Sequence, residues 1–221
     1  MVINGPAYRL EEIVAGKSVV DIGCGYGRNR AVVEAAGGTW TGVEPFEGGA
    51  HTVRGDAENL PFPDESFDVA VMDAVLEHVP DVGRAFAETA RVLKPGGVFV
   101  GYVAFMECFH EISYSHLSYK ALEHYAALNG MKLERVSGGS AFGIDYHLNV
   151  ILFPLPFRLG RKAVAACIRG IFRLKSRLAY FGLRYRRKMP AAEARNTAAL
   201  YYKVECLRQS NGFGYVIRKL P

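Results

Sequence analysis

No C-x-x-C pair occurs among the four cysteines of this 221-residue chain. Cys24, Cys108, Cys167 and Cys206 stand far apart, which argues against a zinc-ribbon or redox-dithiol framework and for free thiols in a reducing compartment. Cys24 is expected to be a small packed residue rather than a nucleophile. No apolar run reaches the roughly 18 residues a bilayer-spanning helix needs, and the stretch from Leu148 to Leu159 is too short and interrupted by Pro154 and Pro156. No basic start leads into an apolar segment, so no signal peptide is read and the cytoplasm is the expected location. The most informative absence is of one charge sign, because Tyr146 to Ala192 contains no acidic residue. Residues 1–145 carry 11 Lys/Arg and 20 Asp/Glu, a net −9, whereas residues 146–221 carry 16 and 2, a net +14. Such an asymmetry points to an anionic surface or ligand for the second part.

Half of the residues are hydrophobic, enough for one domain with a buried core and one substantial insertion. The chain is organised around Val19-Val20-Asp21-Ile22-Gly23-Cys24-Gly25-Tyr26-Gly27, which reads as strand, tight turn, then a helix over Arg28 to Ala36. Glycines suit a turn where the backbone bends sharply and a ligand approaches closely, and the helix start offers unpaired N–H groups. The dinucleotide fingerprint G-x-G-x-x-G is not met, since Arg28 takes its last position, which weighs against a pyrophosphate. Twenty-one residues after Gly23, Glu44 ends a second strand-like run, Thr39 to Val43. A carboxylate there can accept from both hydroxyls of a ribose. A ribose without a pyrophosphate suggests a nucleoside carrying a different tail.

Four ordered blocks, VVDIGCGYG, GVEP, GDAENLPFPDESFDVAV and LEHVPD with RVLKPGGVFV, resemble the class I S-adenosylmethionine-dependent methyltransferases, in particular their small-molecule branch. The resemblance covers residues 8–137 and the last few residues. It implies an α/β fold, a Rossmann-like seven-stranded methyltransferase sheet with helices on both faces, and S-adenosyl-L-methionine as cofactor. It implies cofactor contacts from Asp21, Gly23, Cys24, Gly25, Glu44 and Pro45, an adenine contact from Asp56, a backbone contact from Ala57, and a contact of Asp73 with the methionine part. Asp56 also reads as a helix N-cap, and the two roles are compatible.

Phe67 to Met72 reads as a central strand covered on both faces, with Asp73, Glu77 and His78 beyond its carboxyl end, where open parallel sheets bind ligands. His78 reads equally as a catalytic group and as a loop-fixing histidine bonded to a carbonyl. Asp81 caps a helix over Val82 to Leu93, and Val98 to Val103 is the next strand. The segment Phe109 to Ser118 is dense in titratable groups where the fold brings the acceptor. His110, His116, Glu111 and Tyr114 are candidates for a general base or substrate contact. A structural role stays open for them, whereas H-E-x-x-x-x-H does not match a helical metal motif, so no metal is expected.

Ser118 to Asn129 reads as a helix and Met131 to Val136 as the sixth strand. The antiparallel seventh strand that the resemblance implies is best matched by Gly212 to Lys219. The expected organisation is therefore a catalytic domain of residues 1–137 and 212–221, with residues 138–211 a basic, mostly helical insertion before the last strand. In it, Val164, Ile168, Ile171, Leu174, Leu178, Phe181 and Tyr185 form a helical stripe, while Arg169, Arg173, Arg177 and Arg184 share another face. Three readings of Arg161 to Lys188 stand: docking on the anionic inner face of a membrane, packing on the catalytic domain, or nucleic-acid binding, the last less favoured. The tetrad Asp73-Ala74-Val75-Leu76 does not resemble the N-P-P-Y pattern that serves planar nitrogen acceptors. The expected reaction is methyl transfer to an oxygen or carbon of a small or lipid-linked acceptor. The alternatives are a soluble sugar or metabolite acceptor, with the insertion as lid or dimer surface, and an RNA-binding methyltransferase.

Overall fold

The computed structural model describes residues 2–3, 7–106, 112–138, 158–208 and 210–221. Two compact units divide the chain, one of Tyr8–Val136 with Gly214–Pro221 and one of Val2–Ala7 with Ser137–Phe213. The first unit begins with helix α1 (Leu10–Val14), strand β1 (Ser18–Ile22), helix α2 (Arg30–Ala35), strand β2 (Thr39–Glu44) and the short strand β3 (Val53–Arg54). Strand β4 (Phe67–Asp73), a 3-10 turn (Leu76–His78), helix α3 (Val82–Val92) and strand β5 (Leu93–Ala104) follow. Helix α4 (Tyr119–Leu128), strand β6 (Met131–Ser137) and strand β7 (Gly212–Lys219) complete the series.

These seven strands lie in the order β6-β7-β5-β4-β1-β2-β3. The β2, β1, β4 and β5 strands run parallel, with Val20 opposite Thr41, Val19 opposite Val69 and Val69 opposite Val98. Their β-branched residues are buried, Val19, Val69 and Val100 at 0% exposure, as a parallel sheet covered on both faces requires. Along β7 the neighbours on β5 fall in number as β7 rises: Gly214 lies against the Gly101 carbonyl, and Arg218 donates to the Gly96 carbonyl at 3.2 Å. The last strand therefore runs antiparallel, and the sheet is mixed.

Local chemistry explains several boundaries. Asp81 caps α3 by accepting from the Arg84 N–H at 2.9 Å, and Ser118 caps α4 by accepting from Ala121 N–H at 3.2 Å, each satisfying an orphan donor of the first turn. Helix α3 buries Phe86 and Ala90, and the Phe86 ring meets Phe99 of β5 edge-on, centroids 5.5 Å apart. The Lys94-Pro95-Gly96-Gly97 run already belongs to β5, which starts at Leu93, where the expected helix was to end, and shifts register between its pairings with Phe67 and Val69. Helix α2 starts at Arg30 rather than Arg28, because Gly25 and Gly27 both take left-handed φ values, 51° and 74°.

In the second unit, helix α5 (Arg158–Phe181) runs into a single π-turn (Gly182–Arg186) and helix α6 (Ala191–Arg208) returns. The unit also holds the two-residue strand Val2–Ile3. Among the described residues, no helix is long and apolar enough to cross a membrane. The stretch 148–157 lies outside the described residues.

Candidate active site

The parallel strands β1, β2 and β4 release their chains on one side of the sheet, so the loops after Ile22, Glu44 and Asp73 converge, as ligand-binding loops do in open α/β sheets. A cavity of about 620 Å³ opens there, within the range of small-molecule sites. Gly23, Glu44 and Pro45 form one side, Asp56 and Ala57 another, and Ala74, Val75, His78, Ile112 and Tyr114 the rest.

Gly23 has a φ of 68°, and a Cβ there would stand 2.6 Å from Val75 Cγ2. Only glycine lets the β1 turn lie this close to the β4 loop. Across the turn, the Gly25 N–H donates to Glu44 Oε2 at 2.8 Å. The carboxylate is thus fixed by one backbone bond and keeps acceptor capacity for a ligand. Asp56 is held in the same way, its Oδ1 accepting from the Glu58 N–H at 2.8 Å, so the N-cap-like role and a place on the cavity wall coexist. The two carboxylates are pre-positioned acceptors, an acceptor set that fits the hydroxyls of a ribose and the amino group of an adenine.

Opposite them, Tyr114 N–H donates to the Glu77 carbonyl at 2.7 Å, which ties the 112–116 segment to the 3-10 turn. That tether brings the Ile112 carbonyl to 2.6 Å from His78 Nδ1. A carbonyl only accepts, so Nδ1 carries a proton, and in the uncharged form of the ring the lone pair falls on Nε2. Ala74, a non-glycine residue with φ 59°, turns the chain sharply after β4, a strain of on the order of 1 kcal/mol of the kind that gathers at functional sites.

Other residues expected at the site stand behind the wall. Asp21 is 1% exposed and accepts from Trp40 Nε1 at 3.0 Å and Asn29 Nδ2 at 3.2 Å, fastening β1 to β2 and to the turn before α2. Cys24 is buried in the core, where burial pushes its thiol up to about 11, as suits packing rather than nucleophilic attack. Asp73 accepts from Arg28 Nη2 at 2.6 Å and does not line the cavity. Glu77, placed at the rim from sequence, is 0% exposed and accepts from the Ala104 N–H at 3.3 Å. His116 is half-buried and off the cavity wall. His110 and Glu111 lie outside the described residues. Among the described residues, no cluster of three or more His, Cys, Asp or Glu could hold a metal ion.

Sequence reasoning did not single out Arg28, Tyr8 or Phe46. Burial, with Asp73 nearby, raises the Tyr8 phenol above its usual range, so it stays a hydroxyl donor. The cation Arg28, directly after the glycine turn, was the available signal for a charged partner to Asp73.

Burial raises the Asp21 carboxyl from 3.8 to about 6 despite its two donors. A folded value above the unfolded one contributes stability that is fully present below pH 4 and lost as pH rises through about 6, on the order of 3 kcal/mol for a buried group. Asp68 acts in a different window: the Ser18 hydroxyl and Lys94 lower it to about 2, so its contribution is lost only below pH 4. Urea midpoints measured from pH 4.5 to 7 should therefore decline more steeply in the wild type than in Asp21→Asn. Parallel curves would show that Asp21 does not titrate in that window.

Residues 20–101 match the family model of a methyltransferase domain. An uncharacterized methyltransferase from Mycobacterium marinum is 35% identical over 151 residues, 61% of this chain and 59% of that protein. The chain thus spans about three fifths of the curated relatives it matches. Over residues 20–101 the first unit is thus similar to a methyltransferase domain. An S-adenosylmethionine-dependent methyltransferase from Mesorhizobium loti shares the fold at TM-score 0.55, 18% identical, over 93% of this chain and 92% of that one. The 1,6-didemethyltoxoflavin-N1-methyltransferase of Burkholderia thailandensis, solved with S-adenosylhomocysteine, shares it at TM-score 0.53, 15% identical, over 93% and 72%. The Gly23 turn, Glu44 and Asp56 have a geometry that fits the nucleoside part of S-adenosylmethionine, on which the Mesorhizobium loti methyltransferase depends.

Proposed function

We propose that the protein transfers the methyl group of S-adenosyl-L-methionine to an oxygen or carbon of a small or lipid-linked acceptor held against His78 and Tyr114. The observation that supports this reading is one cavity lined by both tethered carboxylates, Glu44 and Asp56, together with His78, whose Nδ1 is held by the Ile112 carbonyl.

The cofactor supplies a methyl carbon already activated for displacement. The residues of the chain bind, orient and manage a proton. Glu44 holds the ribose hydroxyls, Asp56 and the Ala57 backbone hold the base, and the acceptor is kept in line, a positioning effect of up to ~7–11 kcal/mol. His78 Nε2 takes the proton of an acceptor hydroxyl as it attacks, while the Ile112 carbonyl keeps the ring in place.

The test gives labelled S-adenosylmethionine and purified protein to an extract of the source cells, followed by separation of organic, nucleic-acid and small polar fractions. Label in the organic or small polar fraction is expected, and label in nucleic acid alone would replace this reading with an RNA methyltransferase. Glu44→Ala should weaken cofactor binding about 10- to 100-fold, since a charged hydrogen bond contributes roughly 1.5–3 kcal/mol. A normal Kd by calorimetry would overturn the ribose role of Glu44.

A further inference from the structure

Helix α5 has two apolar sides, and among the described residues only one is covered. Ala165 and Phe172, with Leu183 of the π-turn, are buried, as are Ala194 and Ala198 of α6. Ser176 Oγ donates to the Ala198 carbonyl at 2.6 Å across the pair. The other side keeps Ile171, Leu174, Leu178, Phe181 and Tyr185 between 53% and 67% exposed. They recur at steps of three and four residues, one strip about 20 Å long at 1.5 Å per residue. The stripe expected from sequence is therefore not the packing surface between the two helices.

Charge borders this strip. At about 100° per residue, Arg177 and Arg173 fall roughly 80° and 120° to one side of its centre, and both are exposed. The turn that follows adds exposed Arg186, Arg187 and Lys188. Among the described residues of this unit the acidic ones sit on α6: Glu205 lies 3.9 Å from Lys175, and Glu193 in the first turn. A second copy of the chain would bring a net +14 region against its like, an unfavourable pairing. A nucleic acid would use the cations and leave the leucines and aromatic rings wet. An anionic lipid surface takes both, the strip entering the acyl boundary and the arginines reaching phosphate head groups.

We propose that helix α5 docks the protein on an anionic lipid bilayer surface through the strip Ile171, Leu174, Leu178, Phe181 and Tyr185 and its arginine flank. The docking stands apart from the chemistry proposed for the first unit, and each fails separately.

Flotation of the full chain with vesicles of phosphatidylcholine containing phosphatidylglycerol, against phosphatidylcholine alone, tests it. The protein is expected to float with the anionic vesicles and to be released by high salt. Arg173→Gln with Arg177→Gln should weaken binding about thirtyfold, roughly fivefold for each arginine. Leu174→Gln with Leu178→Gln should weaken it at least as much. These positions are exposed, so circular dichroism and cofactor calorimetry should match wild type. Flotation without preference for anionic lipid, or none at all with cofactor binding intact, overturns the proposal. A concentration-dependent dimer in sedimentation velocity that Leu178→Gln dissolves, without flotation, would make the strip a self-association surface. Retention of RNA without flotation would assign the arginines to phosphodiesters.

Discussion

Gly101→Ala is expected to abolish the native fold of the first unit. Gly101 lies in the middle of β5 opposite Met72, and a Cβ there would stand 1.7 Å from the Met72 carbonyl oxygen and 2.6 Å from both its carbon and the Tyr215 hydroxyl. Two of these atoms are backbone of the neighbouring strand and cannot swing aside. The strands must part, which costs the Tyr215 hydrogen bond to Met72 (3.2 Å) and the edge-to-face contact of Tyr215 with Phe99. The loss should exceed about 4 kcal/mol, most of the stability of an ordinary domain. Gly16→Ala is the control: it also has positive φ, 67°, but a Cβ there meets open space, so it should cost only about 1 kcal/mol. Trp40 is the only tryptophan, and its fluorescence reports unfolding in urea. Equal midpoints for the two variants would show that the sheet absorbs the added methyl group.

His78→Asn should lower turnover about 10²- to 10⁴-fold for an oxygen acceptor while leaving cofactor affinity unchanged. An asparagine amide can occupy the place of Nδ1 and donate to the Ile112 carbonyl, so the loop contact of the histidine survives. No atom then replaces Nε2. His78→Gln makes the complementary change, because its longer amide reaches the Nε2 position and the Ile112 contact is lost. If His78 only fixes the loop, Asn should be nearly active and Gln impaired, and the pH profile of kcat/KM should keep its shape. If it is the base, Asn loses the acidic limb of that profile. A loss below tenfold in the Asn variant would rule out the base role.

The first unit was legible in the sequence wherever one local signal dominated. The alternation from Val19 to Gly27, the apolar run to Met72, the Asp81 and Ser118 caps, and the return of β7 at Gly212 each have one short-range cause. Parts of the site depend on contacts between loops far apart in the chain, and these were harder to read. Asp21 and Glu44 are both carboxylates at strand ends, yet Trp40 and Asn29 turn the first into a structural anchor while Gly25 fixes the second on the cavity wall. Nothing short-range separates them. His78 is similar: the Ile112 carbonyl that sets its tautomer is 34 residues away. On α5 the periodicity located an apolar stripe but not which side is covered, since the buried Ala165 and Phe172 and the exposed stripe leucines lie along one helix.

The position of β7 also has a consequence for biosynthesis. Tyr215 closes the sheet over Met72 across 143 residues of sequence, and residues Ser137–Phe213 of the second unit are made in between. While that unit emerges from the ribosome, β5 has an unpaired edge, a template for wrong pairing. The α5–α6 hairpin, built from local contacts, can form in this interval, whereas the sheet must wait for a late, long-range closure. Vectorial synthesis thus makes the basic hairpin available to a partner surface before the first unit is finished.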